Sequence, residues 1–268
     1  MGHMINLSTI HAVLFDMDGV LYRGKQVLPG VVDLLAFLDA RGVGYACITN
    51  NASMTPGQYE DKLAEMGVLI PARRVLTSAL ATARHLRGVY PPGTRVFIVG
   101  MRGLREALLG DGHFVEDLAA PELVVQGANF DLTYAILKDA ALAIRRGARY
   151  VATNPDRTFP SEEGLIPGAG AIMAALMAAT DATPLVIGKP APTMFLVAAE
   201  MLGADPQHTL VIGDRLDTDI AGANSAGMSS ALVLTGVSQR EDVGVEPGHP
   251  NMIISGLPEL LEAWRNLP

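Results

Sequence analysis

Short apolar runs recur along the chain, and segments with helix-like spacing of apolar residues separate most of them. Unbroken apolar runs of this length are typical of strands buried on both faces, as in parallel sheets. The pattern predicts nine such strands: AVLF (12–15), YACIT (45–49), VFIV (96–99), LVVQ (123–126), YVAT (150–153), LVIG (185–188), LVIG (210–213), ALVL (231–234) and MIIS (252–255). Because strands alternate with helices, the pattern predicts an α/β fold with right-handed crossovers.

Two of the intervening segments carry clear helix boundaries. One begins near Pro29 and stops at Gly42, the usual places for a proline and a glycine at helix ends. The other opens on Asp131 as the expected N-cap, has arginines in its last turn and stops at Gly147. The sequence therefore predicts one helix between each pair of boundaries.

Composition narrows the class of protein. The 268 residues suffice for one large domain or two modest ones, and 49% of them are hydrophobic, which allows a full core. The formal net charge of -8 argues against nucleic acid as the main partner, because phosphate backbones attract basic surfaces. No apolar run approaches the roughly 20 residues of a membrane span, so no membrane partner is expected.

Cysteine usage and the N-terminus predict the compartment. The single cysteine, Cys47, excludes an intrachain disulfide and fits a reducing environment, so we predict a cytoplasmic location. The first residues, MGHM, look like an expression-tag remnant ahead of a start at Met4, and no signal peptide is predicted.

Polar side chains follow four of the predicted strands at the point where each strand ends. In open parallel sheets, ligands bind at the carboxyl ends of the strands, so we expect these side chains to share one edge. The four groups are Asp16-Met17-Asp18-Gly19, Thr49-Asn50-Asn51, Gly188-Lys189-Pro190, and Gly213-Asp214 with Asp217 and Asp219 further on.

The four groups together suit the chemistry of a phosphoryl group. Several carboxylates repel one another and need a cation, and hard oxygen ligands favour Mg²⁺, which is often shared with a phosphate. No Cys or His lies in these groups, which argues against a thiolate or imidazole metal site. Thr49 and Asn50 supply neutral donors for phosphate oxygens, Lys189 supplies a positive charge, and an aspartate is available as nucleophile.

Two rival motifs fail on counting. An EF-hand loop that starts at the first aspartate needs an oxygen ligand, a glycine and a glutamate where Val20, Leu21 and Val27 stand. A P-loop that ends in GK needs a glycine where Thr183 stands.

The motifs DxDGV, TNN, GKP and GDxxxTD, in this order, resemble those of the haloacid dehalogenase (HAD) superfamily of phosphatases. The segments LTSALATARHL, VATNPDRTFPSEEGLIPGAGA and VIGKPAPTMF resemble the NagD-like members, or subfamily IIA. The resemblance implies a Rossmann-like parallel-sheet core with an inserted α/β cap of the C2 type. It places the catalytic core at 1–78 and 185–268 and the substrate-specificity cap at 79–184.

The resemblance also implies roles for the motif residues. They describe a Mg²⁺-dependent phosphatase in which Asp16 attacks phosphorus and forms an aspartyl-phosphate, while Asp18 moves the proton of the leaving group and of water. The implied metal ligands are Asp16, Asp18 through its backbone carbonyl, Asp214 and, directly or through a water, Asp219. The implied phosphate ligands are Lys189, Thr49, Asn50, Asn51 and Gly19. Two of these roles stay open, because Asp219 could instead cap the following helix and Asn51 could instead be a turn residue. Asp217 fits no position of the family motif and is interpreted as a negative charge at the N-terminus of a helix.

Substrate choice is expected to lie in the cap, at the loop after YVAT, with Asn154, Asp156, Arg157 and Phe159 as candidates. This loop resembles the nitrophenyl-phosphate and phosphoglycolate phosphatase branch. The expected substrate is a sugar phosphate, glycerol phosphate, phosphoglycolate or nucleotide monophosphate, with 4-nitrophenyl phosphate as a test substrate. Phosphotransfer or mutase chemistry on the same site stays open, as does a homodimer. A phospho-accepting regulator is the other alternative, against which Asp18 and the inserted cap argue.

Overall fold

The computed structural model describes residues 5–267, so the predicted tag remnant and the predicted start at Met4 lie outside the described residues. Within this range the strands are β1 (Ala12–Phe15), β2 (Tyr22–Arg23), β3 (Gln26–Val27), β4 (Gly44–Thr49), β5 (Val75–Thr77), β6 (Thr94–Val99), β7 (Phe114–Glu116), β8 (Leu123–Gln126), β9 (Arg149–Ala152), β10 (Thr158–Ser161), β11 (Gly164–Pro167), β12 (Leu185–Val186), β13 (Thr209–Gly213), β14 (Ser229–Val233) and β15 (Met252–Ile254). The helices are α1 (Val31–Arg41), α2 (Pro56–Glu65), α3 (Ser78–Val89), α4 (Arg102–Leu109), α5 (Tyr134–Arg145), α6 (Ala169–Thr180), α7 (Pro192–Met201), α8 (Ala221–Ser225) and α9 (Leu257–Arg265).

The chain divides into two compact units. The first comprises Met1–Ile48, Gly57–Leu76 and Lys189–Pro268, as far as these residues are described. Its six-stranded sheet has the order β15-β14-β13-β1-β4-β5, and the strand pairs from β15 through β4 are parallel. The strands β1 and β13 are buried along their whole length, which explains their unbroken apolar sequences.

The second unit comprises Thr49–Pro56 and Thr77–Gly188. Its five-stranded parallel sheet has the order β12-β9-β8-β6-β7, and an antiparallel hairpin joins β10 to β11. Helices α5 and α6 contribute Ala140, Ile144 and Leu176 to a buried cluster with Phe97 and Val124 of the sheet. This unit therefore has a hydrophobic core of its own.

The predicted α/β class with a Rossmann-like parallel sheet is confirmed, and each of the nine predicted strands coincides with an observed one. The strand predicted at 185–188 is shorter, at Leu185–Val186. The predicted cap, 79–184, falls within the second unit, and its role in substrate choice stays a prediction. Among the described residues, no helix combines the length and the apolarity that a bilayer crossing needs.

One helix boundary was predicted correctly and one was wrong. Helix α1 ends at Arg41 with Gly42 as a left-handed C-cap, as its sequence indicates. Helix α5 does not begin at Asp131, because the N-cap is Thr133, whose hydroxyl accepts a hydrogen bond from the Ile136 N–H (3.3 Å). Asp131 is instead exposed in the preceding turn, and its N–H donates to Asn129 Oδ1 (3.0 Å). An aspartate and a threonine two residues apart are both good caps, so propensity alone does not separate them.

The corrected cap leads to a stability prediction. Thr133→Ala should cost about 1 kcal/mol of the stability of α5, because the Ile136 N–H loses its acceptor. Amide hydrogen exchange at Ile136 and Leu137 measures this loss locally. The control Asp131→Ala should change the same protection by less than about 0.5 kcal/mol, and a larger effect there than at Thr133 would contradict the assignment of the cap.

Candidate active site

Two neighbouring strands of the first sheet end at the aspartates singled out in the sequence. Strand β1 ends at Phe15 and is followed by Asp16, and β13 ends at Gly213 and is followed by Asp214. The two strands are parallel with Phe15 opposite Ile212, and the Asp16 N–H donates to the Ile212 carbonyl (2.8 Å). Matched parallel strands end at the same edge of a sheet, and this register brings both aspartates there.

Three carboxylates and one ammonium form the centre of the site. Asp16, Asp214 and Asp219 each offer a carboxylate oxygen, and these oxygens lie within 4.8 Å of one another. Asp219 is on the π-helical turn Leu216–Ile220. The buried Lys189 Nζ donates to Asp16 Oδ1 and to Asp219 Oδ1, the second at 2.6 Å. The structure therefore brings four residues from the first, third and fourth predicted groups into direct contact or close to it.

Burial controls the protonation of this centre. It raises the pKa of Asp16 to about 8, with Asp219 and Asp214 adding to the rise and Lys189 opposing it. It also raises the pKa of Asp214 to about 6, with Asp219 contributing. Burial disfavours the charge on Lys189, but the attraction of Asp16 and Asp219 outweighs it and raises the pKa of the ammonium. The three carboxylates therefore need more positive charge than Lys189 supplies if all are to be ionised at neutral pH.

The donor set fits a divalent cation with a preference for oxygen. Three carboxylates and one ammonium leave two negative charges in excess, which is the charge of one such cation. The donors are all carboxylate oxygens, the ligand type that Mg²⁺ takes in proteins. The side chains present therefore fit a magnesium ion.

Asp18 differs from Asp16 in its surroundings. It is exposed, and its carboxylate is not one of the three grouped oxygens. Partial burial nevertheless raises its pKa, while the charges of Lys62 and Arg23 act in the opposite direction. A carboxyl group with a raised pKa retains its proton closer to neutral pH, which is what a general acid needs.

Two further residues of the same groups have local roles. Gly19 has a φ of +86°, and a Cβ there would lie 2.5 Å from Asp214 Oδ2, so both conformation and space require glycine. Asp217 forms an exposed ion pair with Arg215 (2.8 Å), which lowers the pKa of Asp217. Asp217 therefore lies outside the carboxylate group, in the first turn of the π-helical segment, consistent with its interpretation as helix N-terminal charge.

The residues of the second predicted group belong to the second unit by their contacts. Strand β4 ends at Thr49, whose Oγ1 accepts a hydrogen bond from the Asn51 N–H (3.2 Å). Asn51 Oδ1 in turn accepts from the N–H and the hydroxyl of Ser53 (2.8 and 2.7 Å). This arrangement is a side-chain turn of the kind left open for Asn51, and the phosphate-binding roles of Thr49, Asn50 and Asn51 stay predictions.

Two of the predicted specificity residues contact Asn50. Asn50 Nδ2 donates to Asp156 Oδ1 (3.1 Å). The buried Asn154 donates from Nδ2 to the Asn50 carbonyl (2.6 Å), and Asn154 Oδ1 accepts from the Asp156 N–H (3.2 Å). The side-chain amide of Asn154 is thus used within the protein, where it orients the loop that carries Asp156.

The other two predicted specificity residues have different surroundings. Arg157 is exposed, whereas Phe159 on β10 is half-buried and packs against Phe130 with the ring centroids 5.4 Å apart. Contact with substrate at these positions stays a prediction.

Sequence reasoning missed the segment Thr235–Ser238, which follows β14. The Val237 N–H donates to Asp214 Oδ2 (2.8 Å), and the Thr235 hydroxyl donates to the Gly19 carbonyl (2.6 Å). The signal that points to it is a Thr-Gly pair directly after a buried apolar run, the same position that the four predicted groups occupy.

Comparison with known proteins identifies the family. The family model described as haloacid dehalogenase-like hydrolase matches residues 13–113, and the HAD-hydrolase-like model matches residues 186–260. The dihydroxyacetone phosphatase of Corynebacterium glutamicum is 38% identical over 251 residues, which cover 94% of this chain and 90% of that protein. The chain belongs to the haloacid dehalogenase-like hydrolases.

Solved structures of the family are similar to this chain over most of its length. NagD from E. coli K-12 superposes with a TM-score of 0.88 at 31% identity, covering 93% of this chain and 98% of that one. The glycerol phosphate phosphatase Rv1692 from Mycobacterium tuberculosis, solved in complex with magnesium, gives 0.87 at 39% identity, covering 96% of this chain and 78% of that one. This HAD hydrolase is therefore a NagD-like phosphoric monoester hydrolase that acts on small phosphorylated substrates.

Proposed function

We propose that this HAD hydrolase is a Mg²⁺-dependent phosphatase that hydrolyses small phosphorylated metabolites through an aspartyl-phosphate on Asp16. The observation that carries the proposal is the group of Asp16, Asp214 and Asp219 carboxylates with Lys189 bound between two of them. The magnesium complex of the mycobacterial relative supports the choice of metal.

The proposed nucleophile is Asp16, because it is the carboxylate that both follows β1 and binds Lys189. Asp16 and Asp214 would hold Mg²⁺ through their side chains and Asp18 through its backbone carbonyl, with Asp219 close by. When bound, the metal supplies positive charge that favours ionised carboxylates and neutralises phosphoryl oxygens. Lys189 stabilises the same charge and, through its bonds to Asp16 and Asp219, fixes the direction in which Asp16 Oδ1 points.

The proposed proton carrier is Asp18. Its carboxyl group gives a proton to the leaving alkoxide as the oxygen–phosphorus bond breaks and Asp16 becomes phosphorylated. It then takes a proton from the water that attacks the aspartyl-phosphate, which releases inorganic phosphate and restores both aspartates. The raised pKa of Asp18 and its exposed position outside the carboxylate group support this division of roles.

The role of Asp18 predicts a dependence on the leaving group. In Asp18→Asn, hydrolysis of an alkyl phosphate should fall by about 10²–10⁴-fold, the usual contribution of a general acid. Hydrolysis of 4-nitrophenyl phosphate should fall much less in its first step, because nitrophenolate leaves without a proton. Release of nitrophenol in the first turnover, measured by stopped flow, separates this step from the later attack of water.

The matched control is Asp33→Asn, which removes an exposed carboxylate in the first turn of α1. The hydrolysis rates of the alkyl and the nitrophenyl phosphate should both stay within about twofold of the parent values, since a surface change of this kind touches no part of the site. If Asp18→Asn lowered the rate of the first step equally for the alkyl and the nitrophenyl substrate, the general-acid role would be overturned.

The experiment that tests the proposed function is a screen of phosphate release with Mg²⁺. The panel contains dihydroxyacetone phosphate, glycerol phosphate, a hexose phosphate, phosphoglycolate, nucleotide monophosphates and 4-nitrophenyl phosphate. The names of the corynebacterial and mycobacterial relatives favour the three-carbon phosphates, for which we expect the highest kcat/KM. Absence of phosphate release from every member of the panel would refute the proposal.

An isotope-labelling experiment distinguishes hydrolysis from phosphotransfer at the same site. In ¹⁸O-labelled water, hydrolysis of the aspartyl-phosphate places ¹⁸O in the inorganic phosphate. A transferase moves the phosphoryl group to an alcohol acceptor instead, and the phosphorylated product then carries no label.

A further inference from the structure

The segment Thr235–Ser238 wraps around the backbone and the side chain of Asp214. The Val237 N–H donates to Asp214 Oδ2 (2.8 Å), and the Ser238 N–H donates to the Asp214 carbonyl (3.0 Å). The Ser238 hydroxyl also accepts from the Leu216 N–H (3.1 Å), in the turn that follows Asp214. Asp214, a proposed metal ligand, thus accepts two hydrogen bonds from a segment that belongs to none of the four motifs, and a third bond ties this segment to Leu216.

Gly236 makes this close approach sterically feasible. A Cβ at Gly236 would lie 1.9 Å from Asp214 Oδ2 and 2.4 Å from Asp214 Cγ, far below any van der Waals contact. A Cβ at Gly19 would meet the same oxygen at 2.5 Å, so the Asp214 carboxylate lies between two glycine backbones. Any side chain at Gly236 must therefore displace the carboxylate or the segment.

Thr235 ties this arrangement to the loop that carries the proposed nucleophile. Its hydroxyl donates to the Gly19 carbonyl (2.6 Å), and Arg23 donates from a guanidinium nitrogen to the Thr235 carbonyl. Gly19 lies three residues after Asp16 in the loop that follows β1. The hydroxyl of Thr235 therefore fixes the spacing between the loop that supplies Asp16 and the segment that holds Asp214.

We infer that Thr235 and Gly236 are positioning residues for the metal site, and that they set Mg²⁺ affinity by holding the Asp214 carboxylate in register with the Asp16–Gly19 loop. This inference rests on the proposed function, in which Asp214 binds the metal. Residues that hydrogen-bond to metal ligands and orient them typically contribute 10–100-fold to metal affinity.

The test is Mg²⁺ binding to the chelator-treated protein, measured by isothermal titration calorimetry without substrate. Gly236→Ala should raise the Mg²⁺ Kd by 10–100-fold. Thr235→Val keeps the shape of the side chain but loses the donor, and it should raise the Kd by about tenfold. Thr235→Ser restores the hydroxyl and should return the Kd to within about threefold of the parent.

Two further measurements separate positioning from general damage. The control Thr9→Val removes a threonine hydroxyl that also donates to a backbone carbonyl, that of Asn6 (2.9 Å), and should leave the Kd unchanged. In Thr235→Val, kcat at saturating Mg²⁺ should recover to near the parent value, because the metal restores the position of Asp214 once bound.

The outcomes distinguish the two proposals. A parent protein that binds no Mg²⁺, or an Asp214→Asn variant that binds it as tightly as the parent, would refute the proposed metal site itself. Normal binding by the parent together with a Thr235→Val Kd within twofold of it would overturn the positioning role alone, even if Gly236→Ala failed to fold.

Discussion

Asp16→Asn is expected to abolish turnover while leaving the protein folded. The amide cannot form the aspartyl-phosphate, and loss of a nucleophile costs about 10⁴-fold or more in kcat. Asparagine has almost the shape of aspartate, and Lys189 keeps its hydrogen bond to Asp219 (2.6 Å). Since burial already raises the pKa of Asp16 to about 8, a neutral group at this position should not lower the melting temperature. Release of phosphate from 4-nitrophenyl phosphate and a thermal melt measure the two effects.

The matched control for this variant is Asp217→Asn. Asp217 belongs to the same motif as Asp214, but its carboxylate pairs with Arg215 at the surface. Loss of this carboxylate should leave kcat within about twofold of the parent value, since exposed ion pairs contribute little to the stability of the fold. If Asp16→Asn retained a hundredth of the parent activity in protein purified free of the parent enzyme, Asp16 would not be the nucleophile.

Five of the six strands of the first sheet could be predicted, all but β5, and four of these five (β1, β4, β13 and β14) are buried along most of their length. A strand buried on both faces has an unbroken apolar sequence, and such a run can be recognised without knowing which strands it pairs with. Polar residues at the ends of such runs stand out against them, and that contrast pointed to Asp16, Lys189 and Asp214. The parallel register of β1 and β13 then places two of these residues at one edge, as strand topology requires.

The contacts that the sequence did not reveal depend on spatial neighbours far apart in the chain. Asn154 contacts the carbonyl of Asn50, and Thr235 contacts that of Gly19, across separations of 104 and 216 residues. No local pattern encodes which backbone carbonyl a given side chain will meet. The N-cap predicted for α5 was wrong for a different reason. Asp131 and Thr133 are both suitable N-cap residues, and only the path of the preceding turn selects Thr133.

The two aspartates of the first motif show how one strand end supplies two kinds of carboxyl group. Asp16 points into the buried group of carboxylates and contacts Lys189, whereas Asp18, two residues later, is exposed. Burial, which is only partial for Asp18, raises the pKa of both, but of the two only Asp16 contacts a buried ammonium and lies among carboxylates that could hold a cation. A bound cation would therefore act mainly on Asp16, making it the ionised nucleophile and leaving Asp18 as the group that keeps its proton.

Removal of divalent cations is expected to silence the enzyme and to return it to activity on addition of Mg²⁺. Without a cation, burial and the neighbouring carboxylates raise the pKa of Asp16, so less of the proposed nucleophile is ionised at neutral pH. Lys189 is then the only one of the proposed cations left to neutralise the phosphoryl oxygens. Because a metal supplies several kcal/mol to such a reaction, excess chelator should lower kcat by about 10³-fold or more. Mg²⁺ at 100 times its Kd should also stabilise the folded protein by about 2.7 kcal/mol. Asp214→Asn is the matched variant, since it should lose this stabilisation together with activity, and full turnover in excess chelator would refute the metal requirement.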